Sequence, residues 1–516
     1  MLGGFNMLRG LVGLLALLLT PAPAIAAWHE AKTRHFIIYS EQTPQEVTEY
    51  ATRLEKFDGA VRYARGMGDP PLGDSSKLTV YVLRDQAAVE RMAGAPDSGI
   101  AGYYVADISG PRAFVYRKAR DEAEFGVTPE LIFFHEYFHH LMLGYTDAAL
   151  PHWVVEGFAE FFSTAKIEDD GSVMLGRPAD HRALGLFLLS DLSLKQMLGN
   201  SYKELSGREV IMLYTRGWVL SHYLTFESSR QGQLERYLQL IQQGRPHLEA
   251  AEAAFGDFRQ LSRELDQYVK RKTLPGLRVP AERLAPGPIA LRQLINSEAA
   301  AMNIRMRLDR RSKMRPSEGA RIADDARRLV SRFPNDAAAH ASLAMAELTA
   351  ANYTASIAAA DRALALNPNE LRALVAKARA QMKLAAAARD KAHWEGIRAL
   401  LLRANRVDTE NAGPLMLYYQ TFVAAGVPPT ENAKSALAYA RVLMPQDDEL
   451  RMIAARQLVT DSKMADASKT LAPMAYDPHE KERELAMKAL NAISSGDRSA
   501  ALAAIDQLYA KKTKDD

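Results

Sequence analysis

Two short runs carry residue types and spacings that could do chemistry. His135-Glu136-Tyr137-Phe138-His139 fits H-E-x-x-H. Side chains four apart share one face of a helix, so His135 and His139 can point at a single ion. Glu136 then lies beside that ion, where a general base must sit. The second run, Trp153-Val154-Val155-Glu156-Gly157-Phe158-Ala159-Glu160, adds two carboxylates that are also four apart. A catalytic zinc takes three protein ligands and keeps a position open for water. Glu156 and Glu160 compete for the third place. Glu156 is the favoured ligand, which leaves Glu160 to accept the other ring N–H of a ligand histidine and fix its tautomer. The chain has no cysteine, so any metal site here must use imidazole and carboxylate, as this one does.

These residues need helices to hold them. Thr128-Pro129-Glu130 has the chemistry of a helix start: a capping hydroxyl, proline at the first helical position and an acid in the first turn. Leu131 to Phe134 make the next turn apolar nearly all round, so the helix is expected to be buried, with Gly144 as its C-cap. Ionisable groups on such a helix are costly unless a metal or hydrogen bonds satisfy them. Pro151 marks the start of a second helix, with Leu143 to Pro151 as the reversal. His140 points off the His135/His139 face, His152 is placed near the cleft, and His222 reads as a core histidine.

Upstream, residues 28–127 read as mixed α/β. Strands are expected at 35–39 and 78–83 with a helix between them from Pro44 to Arg65, then a hairpin of Tyr103–Val105 and Ala113–Tyr116 around Ser109-Gly110-Pro111. The strand just before the metal helix is placed as a wall of the site, its free edge open to an extended peptide. Residues 128–272 read as mostly helical, including a helix with Tyr214-Thr215-Arg216-Gly217. Pro275, Pro280, Pro286 and Pro288 mark a linker over 273–290. From 291 to 512 the texture is Ala-rich and helical.

H-E-x-x-H followed closely by W-x-x-E-G-x-A-E resembles the gluzincin (MA-clan) metallopeptidases, in particular their aminopeptidase-like and peptidase-MA-like domains. The resemblance covers about residues 100–270. It implies an α+β catalytic domain, one Zn2+ held by His135, His139 and Glu156, and Glu136 as general base in metal-assisted hydrolysis of an amide. It also implies a peptide or protein substrate. Tyr214-Thr215-Arg216-Gly217 resembles the family's Y-x-K-G, with Arg for Lys, which implies that the Tyr214 hydroxyl supports the transition state. The glycine-rich strand with which the aminopeptidases bind a free amine has no counterpart here, so endopeptidase and other specificities stay open. Pro334 and Pro368, 34 residues apart, and Tyr353 to Ile357 between them resemble the tetratricopeptide repeat. That implies a helical solenoid that binds a protein partner. His340 stands where that repeat often has Trp and Ser356 where it favours Ala. Pro445 and Pro478 lie 33 apart, while 390–430 lacks the proline.

The remaining features bound the class. Arg9, the apolar stretch Leu11 to Leu19 and Ala24-x-Ala26 read as a signal peptide over 1–26. The chain is therefore expected to be exported, to the periplasm or beyond, or else held by an uncleaved N-terminal anchor. Nothing later is apolar enough to span a membrane. A formal net charge of +3 and the lack of any Lys/Arg-rich run speak against nucleic acid. The expected whole is a zinc metallopeptidase domain over 28–272, a linker and a repeat domain. The rival is an inactive peptidase-fold scaffold in the cell envelope that acts through its repeats.

Overall fold

The computed structural model describes residues 27–117, 127–145, 150–182, 185, 192–199, 206–310, 314–388, 393–476 and 482–515. The expected signal peptide, Pro478 and part of the reversal before Pro151 lie outside them. The architecture is α+β. Strands β1 (His29–Lys32), β2 (Phe36–Ser40), β3 (Leu78–Leu83), β4 (Gly102–Val105), β5 (Arg112–Tyr116) and β9 (Ala290–Gln293) form one sheet in the order β4-β5-β3-β2-β1-β9. Strands β2, β3 and β5 run parallel, while the hairpin β4–β5 and the pairs β1–β2 and β1–β9 are antiparallel. Strands β6 (Lys166–Ile167), β7 (Val173–Leu175) and β8 (Leu277–Val279) make a second, three-stranded sheet.

The period-two alternation of the strands divides the large sheet's side chains between two cores. Phe36, Ile38, Val80, Val82, Ala113 and Val115 face helix α1 (Pro44–Arg65) and helix α3 (Pro129–Tyr145). Ile37, Tyr39, Tyr81, Phe114 and Tyr116 face helix α2 (Gln86–Ala93) and the helix Asn296–Asp309. The free edge on the hairpin side belongs to β4. Strand β5, expected to offer one, is paired on both sides, because the hairpin folds back outside it. The Pro-rich stretch expected as a linker supplies β8 and the first residue of β9, so it is stitched into both sheets. Arg292 of β9 donates from Nε to Glu30 of β1 at 2.8 Å.

Helix α3 starts as its sequence dictates, with Thr128 Oγ1 accepting from the Leu131 backbone at 3.0 Å. It does not stop at Gly144 but runs to Tyr145. A Cβ at Gly144 would lie 2.9 Å from Gln446 Nε2, the end of a side chain from the helical array. Further helices are α4 (His152–Ser163), α5 (Leu194–Leu198), α6 (Gly207–Phe226), α7 (Gln233–Gln242), α8 (His247–Phe255) and α9 (Phe258–Tyr268). No described helix is long and apolar enough to cross a membrane.

From Asn296 onward the chain is a succession of helices, each packed on its neighbour in sequence. Pro334 and Pro368 sit in turns between helices, as their spacing predicts. The turn between Trp394–Val407 and Ala412–Ala424 is made without proline. His340 hydrogen-bonds the carbonyl of Pro334 at 2.9 Å, and buried Ser356 donates to that of Ala344 at 2.7 Å, so both unexpected polar residues are satisfied.

This array returns to the first half of the chain. Asp309 accepts from Tyr81 at 2.6 Å and pairs with Arg112 and Arg372 at 3.5 and 3.2 Å. Burial opposes its charge, but Arg112, Arg372 and Arg305 outweigh that and hold its carboxyl well below the usual range. Ser75 donates to Asp408 at 2.5 Å, and Gln446 Nε2 reaches the His140 carbonyl at 3.3 Å.

Candidate metal centre

Helices α3 and α4 pack together and bring both motifs to one point. His135 Nε2 lies 3.1 Å from His139 Nε2. Glu156 Oε2 lies 3.3 Å from the first and 3.6 Å from the second. These three residues are one of two groups among the described residues whose donor atoms could close on an ion. A tetrahedral ion with bonds of about 2.0–2.1 Å needs donor atoms about 3.3 Å apart. The triangle therefore fits zinc, and its two imidazoles and one carboxylate are the donor set such an ion takes in a catalytic site.

The second group, His35, Glu55 and Asp58, does not fit. His35 Nδ1 lies 2.8 Å from Glu55 and 3.2 Å from Asp58, and its Nε2 lies 2.8 Å from Asp69. Asp58 is already taken up by Arg62 and Tyr137, so it is not a free ligand, and the His35 ring is placed to carry a positive charge between carboxylates. Burial opposes that charge, but Glu55, Asp58 and Asp69 outweigh it and raise the pKa. Arg62 Nε on Asp58 at 2.7 Å supplies the second positive charge. Tyr137, inside H-E-x-x-H, donates to the same Asp58 at 2.7 Å, which ties α3 to α1.

Glu160 is buried one turn beyond Glu156. Its Oε1 lies 3.4 Å from His135 Nδ1 and 2.5 Å from Arg182 Nη2, while Oε2 lies 2.7 Å from His181 Nε2. Burial alone would raise its pKa. The hydrogen bonds from His135, His181 and Arg182 outweigh it, so Glu160 stays ionised. His181 and Arg182 end a 3-10 turn, Asp180–Arg182. No motif marks them in the sequence, and only the fold carries them to Glu160.

Tyr214 of α6 stacks on His135 with ring centroids 6.0 Å apart and planes 17° apart. Burial, and then the charge of Glu156, push its pKa well up. Arg216 turns to the Leu192 carbonyl at 2.6 Å. The reason α6 comes so close is glycine. A Cβ on Gly157 would lie 2.4 Å from the Gly217 carbonyl oxygen, and one on Gly217 would lie 3.1 Å from that of Trp153. The glycine after Glu156 and the glycine three residues after Tyr214 are thus the two sides of one helix crossing. Gly157→Ala is expected to force α4 and α6 apart and destabilise the fold by about 1–3 kcal/mol or more. Chemical denaturation measures this, and an unchanged midpoint would show that the crossing relaxes freely.

Glu136 is partly exposed and follows His135 directly in the chain. The other candidate histidines are elsewhere. His140 faces the Tyr104 hydroxyl at 2.9 Å, and burial pushes its pKa down to about 3. His222 is held between Tyr268 at 2.8 Å and the Gly176 carbonyl at 2.9 Å, and burial pushes it down to about 4. His152 is buried at the start of α4, 3.5 Å from Arg483 of the helical array.

Without an ion, burial opposes charge on His135, yet Glu156 and Glu160 raise its pKa to about 10. At neutral pH its ring therefore carries a proton that a metal must displace. Zinc affinity is expected to rise about tenfold per pH unit between pH 6 and 8, read by competition with a chromophoric chelator. A flat profile would mean that His135 is already neutral.

No family model matches the chain, and no curated protein is significantly similar to it. The assignment of the centre therefore rests on its geometry.

Proposed function

We propose that this protein is an exported zinc-dependent peptidase of the gluzincin type. In this reading His135, His139 and Glu156 hold the ion, Glu136 is the general base, and Tyr214 is the donor to the developing oxyanion. The observation that carries the reading is the triangle of two Nε2 atoms and one carboxylate oxygen, 3.1–3.6 Å on a side. When bound there, zinc acidifies a water and polarises the scissile carbonyl. The Glu136 carboxylate takes the proton of the attacking water and gives it to the leaving amine nitrogen. Tyr214, kept protonated by burial and Glu156, stays a hydrogen-bond donor across the physiological range. The tetratricopeptide-like reading of the tail is supported by the proline turns between packed helices, and such a surface suits a protein partner or substrate.

The test is metal analysis of the chain from residue 28, together with mass spectrometry of a peptide mixture incubated with it. The expected result is close to one zinc per chain, and peptide cleavage that a chelator abolishes and zinc restores. A chain that takes up no metal when zinc is offered, and cleaves nothing, would overturn the peptidase and leave the scaffold.

A further inference from the structure

The His135 ring is held at two places, its Nδ1 edge and its face, by groups that come from different helices. Glu160 of α4 approaches the edge and Tyr214 of α6 covers the face. One side chain touches both. Arg182 donates from Nη2 to Glu160 Oε1 at 2.5 Å, and its guanidinium carbon lies 4.9 Å from the centroid of the Tyr214 ring. A guanidinium suits this place because it donates within its plane while its face lies on an aromatic ring. The compact ammonium of lysine cannot do both. A carboxylate as buried as Glu160 also needs a positive partner.

We infer that Arg182 is a positioning residue of the metal centre. By bridging Glu160 to Tyr214 it fixes the ring plane of His135 and the place of the Tyr214 hydroxyl, and so sets how tightly the centre binds its ion. The inference rests on the zinc reading above. It adds a residue that belongs to neither motif and that contacts no metal-facing donor atom itself. Arg182 reaches the centre through Glu160 and Tyr214, by holding them in place and by its charge on both. Its loss is therefore expected to act on metal affinity and coordination geometry, rather than to remove a ligand.

The experiment compares the wild-type chain with R182Q and R182K. Zinc affinity is measured by chelator competition, the visible spectrum is taken after cobalt is substituted, and thermal melting of the metal-free proteins reports folding. R182Q is expected to bind zinc about 10–100-fold more weakly and to shift the cobalt bands. R182K, which keeps a charge for Glu160 but not the contact with the Tyr214 ring, is expected to fall between. It guards against R182Q failing to fold. Equal zinc affinity and identical cobalt spectra in wild type and in every folded variant would overturn the inference and leave the zinc reading intact. A wild-type chain that binds no zinc would overturn that reading and the inference with it.

Discussion

Glu136→Gln is expected to lower the rate of peptide hydrolysis by about 10²–10⁴-fold while leaving the zinc content unchanged. The side chain keeps its length and hydrogen-bonding capacity but can no longer accept the water's proton. Glu136 is partly exposed and is not one of the three residues grouped at the candidate centre, so its loss should be felt in turnover and not in metal retention. The measurement is kcat/KM on a cleaved peptide beside metal analysis of the same preparation. Rate and zinc falling together would make Glu136 part of the metal shell. A rate within a few-fold of wild type would assign the proton transfer to another group.

Much of this site was legible because helical spacing is a local property. His135 and His139 share a face by arithmetic, as do Glu156 and Glu160, and helix α1 runs over the residues its apolar periodicity predicts, Pro44–Arg65. The proline spacing located turns of the helical array in the same way. What stayed hidden depends on contacts between distant segments. Gly144 has the residue type of a helix stop but lies within the helix, close to Gln446, some 300 residues further along. Gly157 and Gly217 each look like punctuation within a motif, and only their contact explains why both lack a Cβ. Arg182 carries no local signal at all. The Pro-rich stretch after Tyr268 has the composition of a linker, yet strand pairing with β1 and β7 overrides composition.

The closure of the array onto the half that carries the candidate centre also follows from long-range chemistry. Asp309 is buried and ionised because Arg112 of β5 and Arg372 of the array approach it from both sides. Removing either would leave buried charge poorly matched. The two halves are thus held as one body, with Gln446 against α3 one residue beyond His139.

Glu156→Ala is the substitution expected to have the largest effect on the metal itself. Glu156 is fully buried, with its Oε2 facing both histidine nitrogens, and among the described residues no other carboxylate is grouped with those nitrogens. Glu160 is held on the far side of His135 by His181 and Arg182. To become a ligand it would have to give up two charge-assisted hydrogen bonds. The variant is therefore expected to lose zinc affinity well beyond the about 10–100-fold that removing a supporting hydrogen bond costs. Stability gives an independent readout. An ion bound only by the folded chain stabilises it by about 4 kcal/mol at a thousand times Kd. Wild-type protein should therefore melt several degrees higher with zinc than without, while Glu156→Ala should melt at one temperature in both conditions. Glu160→Ala is the companion. It removes support but no ligand, so its affinity should fall by the smaller factor and its zinc-dependent shift should survive at high metal. If the two variants exchange these behaviours, Glu160 is the third ligand, and α4 must turn about its axis when the ion binds.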